Sequence, residues 1–161
     1  MDAIELLKAQ HREVEALFGA LGRAKGPDRK DRLFDQIADK LAVHASIEEI
    51  HFYPAVKARR TQDILLESLE EHLGIKRVLA DLLDIDALDE TFDAKIKVLE
   101  ELVRHHVDEE EHELFPKVKK LMDRQALESL ASAMEDTETR LLEIGTPRKT
   151  VPGETSFPAT L

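Results

Sequence analysis

Two stretches of this chain carry the same chemistry. His44-Ala45-Ser46-Ile47-Glu48-Glu49 runs on to Phe52-Tyr53-Pro54, and His106-Val107-Asp108-Glu109-Glu110-Glu111 runs on to Leu114-Phe115-Pro116, 62 residues later. Aligned on their prolines, His44 falls on His106, Glu48 on Glu110, Glu49 on Glu111 and Tyr53 on Phe115; Val56 then meets Val118 and Lys57 meets Lys119. Each copy holds a His and a Glu four residues apart. On a helix that spacing puts both side chains on one face, about one turn from each other. An imidazole stacked on a carboxylate in this way is half of a metal-binding site, and two halves in one small domain suggest a metal centre between two helices. The chain has no cysteine, so disulfides, thiolate ligands and cysteine nucleophiles are excluded. Nitrogen and oxygen ligands suit iron, manganese or zinc better than soft metals.

The elements that must position these residues read as helices. With 161 residues and 42% hydrophobic composition the chain is expected to be one globular domain, and only 4% of it is aromatic. Leu, Ala, Glu, Asp and Lys dominate, and alternating strand patterns are almost absent, which is the palette of a helical bundle. The first helix is expected over about 2–21, with Asp2 as cap and a stripe of Ile4, Leu7, His11, Val14, Phe18 and Leu21. The second runs over about 28–59 with seam Ile37, Leu41, His44, Glu48, His51 and Ala55, and Pro54 is expected to kink its last turns. The third runs over about 61–83 with Leu65, Leu69, His72, Ile75 and Leu79. The fourth, about 89–122, carries Phe92, Ile96, Leu99, Val103, His106 and Glu110. A shorter fifth helix over about 124–144 ends at Gly145. Residues 1–145 are thus expected to form an all-α, antiparallel up-down-up-down four-helix bundle with a short fifth helix. Residues 146–161, with three prolines and no helical period, are expected to form an extended or disordered arm, or else to lie against the bundle through Val151, Phe157 and Leu161.

Each of the four long helices carries a histidine at a seam position. At about 1.5 Å per residue, His11, His44, His72 and His106 fall into roughly one layer of such a bundle, with Glu48 and Glu110 about one turn away. An apolar interior does not tolerate unpaired carboxylates; each would cost several kcal/mol or protonate. One or two dications remove that cost, and two metals bridged by Glu48 and Glu110 would let each carboxylate serve both. Four imidazoles, two carboxylates and an open position suit iron chemistry with oxygen. A satisfied, metal-free polar network is the structural alternative.

His11, His44 with Glu48, His72, and His106 with Glu110, followed by Phe52-Tyr53-Pro54 and Leu114-Phe115-Pro116, resemble the hemerythrin-like, or HHE cation-binding, family. The resemblance covers about residues 2–122. It implies a four-helix bundle around a non-haem di-iron centre, oxo- or hydroxo-bridged, with those six residues as metal ligands. It implies binding or sensing of oxygen or a related small ligand such as nitric oxide or peroxide. Oxygen-carrying members have a second His four residues after the one on the third helix; here that residue is Lys76, whose ammonium cannot ligate. They also place the fourth-helix carboxylate one residue farther from its His. These departures shift weight from stable oxygen carriage towards sensing, redox or iron handling.

Several neighbours admit more than one role. The proline alignment and the continuous seam favour His106 over His105, although Glu109 lies four residues after His105. His51 either pairs with Glu113 behind the site or replaces a ligand, and His112 is off the seam. Tyr53 and Phe115 read as packing the bundle end, with a phenolate ligand the alternative for Tyr53. The runs Glu48-Glu49 and Glu109-Glu110-Glu111 read as mainly solvated faces. A net charge of −11 opposes nucleic acid as a partner. The acidic N-terminus is not that of a signal peptide and no apolar run approaches a membrane span, so a cytoplasmic protein is expected. A sensor would need a protein partner. Iron storage or donation, and decomposition of peroxide or nitric oxide, are the competing functions.

Overall fold

A computed structural model describes residues 1–161, and every regular element in it is helical. The α-helices are α1 (Ala3–Arg23), α2 (Pro27–Ile47), α3 (Tyr53–Ala55), α4 (Gln62–Leu83), α5 (Phe92–Glu109), α6 (Phe115–Leu121) and α7 (Arg124–Ile144). Helix ends are set by local chemistry. Asp2 and Glu5 form a reciprocal cap on α1: the Asp2 carboxylate accepts the Glu5 N–H at 2.9 Å and the Glu5 carboxylate accepts the Asp2 N–H at 2.9 Å. Pro27 opens α2, where its missing N–H costs nothing. The Asp123 carboxylate accepts from the Ala126 N–H to start α7.

The second and fourth long helices do not run through their prolines as α-helix. Glu48–Phe52 joins α2 to α3, and Glu110–Leu114 joins α5 to α6, each as one wide π turn. Pro54 and Pro116 have no N–H to offer the carbonyls four residues before them. The ladder shifts instead, so that the Tyr53 N–H bonds to the Glu48 carbonyl and the Phe115 N–H to the Glu110 carbonyl, across five residues. In an α-helix, five residues leave about 140° between two side chains. Within a π turn that angle closes to about 50°. Tyr53 is therefore swung toward the face of Glu48, and Phe115 toward the face of Glu110.

Two apolar clusters fill the interior, one on each side of a polar layer. The first takes Ile4 and Leu7 from the start of α1, Val43, Ile47 and Tyr53 from the end of α2 and beyond, Leu65 and Leu69 from the start of α4, and Leu114, Phe115 and Val118. Leu127, Ala131 and Met134 of α7 close it. The second takes the other ends: Val14, Phe18 and Leu21; Phe34, Ile37 and Leu41; Ile75, Leu79 and Leu82; Phe92, Ile96, Leu99 and Val103. In all four long helices the buried histidine falls at the junction between the two.

The C-terminal residues are not a free arm. Pro147–Glu154 forms a 3-10 helix packed against α2 and α4, and Val151 is 1% exposed within the second cluster. The Asp39 carboxylate receives the Arg148 N–H at 2.9 Å and its guanidinium at 2.8 Å. The Arg77 side chain donates to the Thr155 carbonyl at 3.0 Å. Of the three residues singled out for docking, Val151 is in the core and Leu161 packs on the first cluster, while Phe157 is 74% exposed. Isolated apolar residues among prolines carry no period, so only the groove that receives them shows the docking. Val151→Ala is expected to lower stability by about 1–2 kcal/mol, and Phe157→Ala by less than about 0.5 kcal/mol. Urea denaturation of the two variants measures the difference; equal values would mean that the tail does not dock in solution.

Candidate metal centre

The polar layer holds His11, His44, Glu48, His72, His106 and Glu110, all buried, with both carboxylates 0% exposed. Donor atoms of His11, His44, Glu48 and Glu110 lie within 4.8 Å of one another, and so do those of Glu48, His72 and His106. Glu48 belongs to both groups. The six residues picked out by spacing are thus brought together as two adjoining donor sets that share a carboxylate.

Each imidazole is held from behind by its Nδ1. His11 Nδ1 donates to Glu111 at 2.8 Å, His44 Nδ1 to the Gln10 amide oxygen at 2.7 Å, His72 Nδ1 to Glu49 at 2.7 Å and His106 Nδ1 to Glu71 at 2.8 Å. The amide of Gln10 is oriented by donation to Glu138 at 3.2 Å. These acceptors place the proton of a neutral ring on Nδ1 and leave Nε2 bare, facing inward. A pseudo-two-fold relation organises the supports. Gln10 and Glu71 each precede the His of a first helix and hold the His of the next; Glu49 and Glu111 each follow the buried Glu and hold the His of the opposite pair.

Facing one another across the layer are acceptors with too few protons. His11 Nε2, His44 Nε2, both oxygens of Glu48 and Oε1 of Glu110 are buried without a hydrogen-bond partner. His44 Nε2 abuts Glu48, and His106 Nε2 lies 3.0 Å from Glu110 Oε1, yet neither of those orphaned oxygens is hydrogen-bonded. Burial opposes a charged His11 or His106, but Glu110 outweighs it, so both rings are raised above their ordinary range, His106 well above. Burial likewise opposes an ionised Glu110, but His106 and then His11 hold its carboxyl well below the usual carboxylate range. The layer attracts positive charge, and its donor set of bare imidazole nitrogens backed by carboxylates fits a metal ion.

Around this set, several residues stand where spacing did not put them. The Tyr53 hydroxyl, expected at the bundle end, donates to Glu110 Oε2 at 3.2 Å and lies 3.2 Å from His72 Nε2 and 3.4 Å from His106 Nε2. Complete burial, then the Glu110 and Glu48 charges, raise its phenol well above the ordinary value, so it is a neutral donor here. The π turn is the cause, and the proline after Tyr53 its sequence signal. Glu49 and Glu111, expected on mainly solvated faces, are tied to His72 and His11; their conservation of place in the internal repeat was the available signal. Lys76 is buried, and its ammonium donates to Glu49 at 2.9 Å and reaches Glu154 at 3.4 Å, so it braces the support of His72. His51 bonds Thr137 of α7 at 2.7 Å and not Glu113. His105 has a side chain 64% exposed, and His112 is exposed, bonded to the Asp108 carbonyl.

Comparison with known proteins bears on the family and the fold. Over residues 2–118 the chain matches the family described as Hemerythrin HHE cation binding domain. A DNA nickase of Nostoc is 25% identical over 141 residues, which are 88% of this chain and 40% of that protein. An uncharacterised protein of Mycobacterium tuberculosis is 26% identical over 117 residues, 72% of this chain and 71% of the relative. The crystal structure of a hemerythrin HHE cation binding domain-containing protein from Mycobacterium kansasii shares the fold, with a TM-score of 0.76 at 24% identity over 89% of this chain and 91% of that one. With the matched span enclosing all six buried His and Glu residues of the layer, the chain belongs to the hemerythrin HHE cation-binding domain family.

Proposed function

We propose that this chain is a di-iron protein that binds or senses oxygen or a related small ligand such as nitric oxide or peroxide. The observation that carries the proposal is the set of orphaned acceptor atoms of His11, His44, Glu48 and Glu110, all buried in one layer. His11 and His44 would hold one iron and His72 and His106 the other, with Glu48 shared and Glu110 beside it. Iron supplies a change of valence coupled to the binding of a small ligand. The chain's own residues hold the rings in one tautomer, exclude water with two apolar clusters, and offer the Tyr53 hydroxyl proton at Glu110. A cavity of about 30 Å³, lined by the four histidines with Leu41, Leu79 and Val103 among others, has room for a ligand of one or two heavy atoms.

We infer that α1, α2, α4 and α5 form an antiparallel up-down-up-down bundle. Its support is the alternation of helix starts and ends between the two clusters. No helix is long and apolar enough to cross a membrane, and a cytoplasmic setting belongs to the proposal, as does a protein partner if the role is sensing. Nicking of DNA does not. The chain spans 40% of the Nostoc nickase, and a net charge of −11 repels a phosphate backbone. A second reading, decomposition of peroxide or nitric oxide, draws on the Tyr53 proton beside the donor atoms. A third, iron storage or donation, draws on Lys76, which stands where oxygen carriers resembling this chain have another ligand.

Protein purified without added metal is expected to contain two irons per chain, with a near-ultraviolet band that bleaches with dithionite and returns in air. His44→Ala is expected to lose at least one iron and to melt at a lower temperature, since binding energy of a structural metal is folding energy. A metal-free protein whose stability His44→Ala leaves unchanged would overturn the proposal. Burial opposes charge on His11 and His106 but Glu110 raises both, so in the metal-free layer each ring keeps its proton to higher pH than an ordinary imidazole. Loading with Fe²⁺ under anaerobic conditions is therefore expected to release protons. Calorimetry in buffers of different ionisation enthalpy reads the number released, and zero would place the metal elsewhere. Glu49→Ala, which removes the acceptor of His72 Nδ1, is expected to weaken metal affinity by about 10–100-fold, read by chelator competition.

A further inference from the structure

The pseudo-two-fold relation that organises the buried layer breaks at three positions, and the break assembles a second set of ligands. Along α5 and into the π turn that follows it, two His-x-x-x-Glu pairs are interleaved. His106 and Glu110 face inward, and His105 and Glu109 lie one residue earlier, turned by about 100° toward the surface. His105 Nε2 lies 3.0 Å from Glu109 Oε1 and 3.2 Å from Glu71 Oε2 of α4. Donor atoms of Glu71, His105 and Glu109 all fall within 4.8 Å of one another. The other half of the molecule carries Gln10, Val43 and Ile47 at the corresponding positions, and Val43 and Ile47 there are 4% and 0% exposed.

That comparison shows what the buried centre needs. Gln10 holds His44 with a neutral amide, so holding a layer histidine does not require a carboxylate at Glu71. Nor does it require a histidine at 105 or a carboxylate at 109. We propose that Glu71, His105 and Glu109 form a surface site for a divalent transition cation, distinct from the buried centre. One nitrogen and two carboxylates suit Zn²⁺, Fe²⁺ or Mn²⁺. Bonds of about 2.0–2.1 Å in a tetrahedral site set neighbouring ligands about 3.3 Å apart, close to the separations of His105 Nε2 from its two carboxylates. The His105 side chain is 64% exposed while those of Glu71 and Glu109 are 16% and 22% exposed, which leaves an open side for water to complete the coordination. Glu71 serves both places: its Oε1 accepts from His106 Nδ1 at 2.8 Å and its Oε2 faces His105. A cation at the surface would draw on the same carboxylate that orients His106.

The test is calorimetric titration with Zn²⁺ of the protein as purified, alongside the double variant His105→Ala with Glu109→Gln and the single variant His105→Gln. The unaltered protein is expected to take up one more Zn²⁺ per chain than the double variant, and His105→Gln to weaken that equivalent by tenfold or more. Circular dichroism checks that helix content is unchanged. His44→Ala, which disables the buried centre, is expected to keep the surface equivalent, so loss of the buried metal and loss of the surface metal are read separately. Equal Zn²⁺ uptake by the unaltered protein and the double variant would overturn the site and reduce Glu71, His105 and Glu109 to an exposed ion pair.

Discussion

A buried layer of ligand atoms with too few hydrogen-bond partners is the constraint on which the rest of this molecule depends. Orphaned imidazole nitrogens and carboxylate oxygens sit between two apolar clusters, where an unpaired carboxylate costs several kcal/mol. The clusters that stabilise the fold also shield these atoms from bulk water. A cation is the species that meets both demands, by neutralising the carboxylates and accepting the lone pairs. In this fold the apolar packing and the metal chemistry are parts of one arrangement.

Order within the layer comes from behind it. Gln10, Glu49, Glu71 and Glu111 set the tautomer of one ring each, and Lys76 in turn fixes Glu49. The supports are not equivalent. His44 is held by an amide and the other three by carboxylates, which raise the basicity of their rings. The two donor sets therefore differ in charge although the repeat makes them similar in shape. The prolines contribute in another way. By removing one N–H from each ladder they force a π turn that starts at the buried Glu, and the wide turn brings Tyr53 to the layer on one side and stacks Phe115 on His11 on the other, with ring centroids 6.0 Å apart.

The 3-10 segment joins this system through two contacts. Val151 completes the second cluster and also lines the small cavity, and Glu154 lines the same cavity and meets Lys76. The C-terminal residues thus form part of the wall around the space next to the histidines, and the charge on Glu154 bears on the Lys76–Glu49 pair that holds His72.

Residue type and spacing were enough for much of this. A His four residues before a Glu, repeated 62 residues later, named His44, Glu48, His106 and Glu110; single histidines in apolar seams named His11 and His72, because period 3.6 fixes which side chains share a face. The all-helical class followed from the same periodicity. What lay beyond that reading depended on contacts distant in sequence. Glu49 and Glu111 look like solvated charge until the opposite helix pair presents a ring nitrogen to each. Tyr53 looks like packing until a π turn, at which the following proline only hints, rotates it by about a quarter turn. Val151 looks like part of a disordered tail until a groove receives it. Periodicity records which face a side chain occupies. Which partner meets it there is a property of helices brought together from opposite ends of the chain.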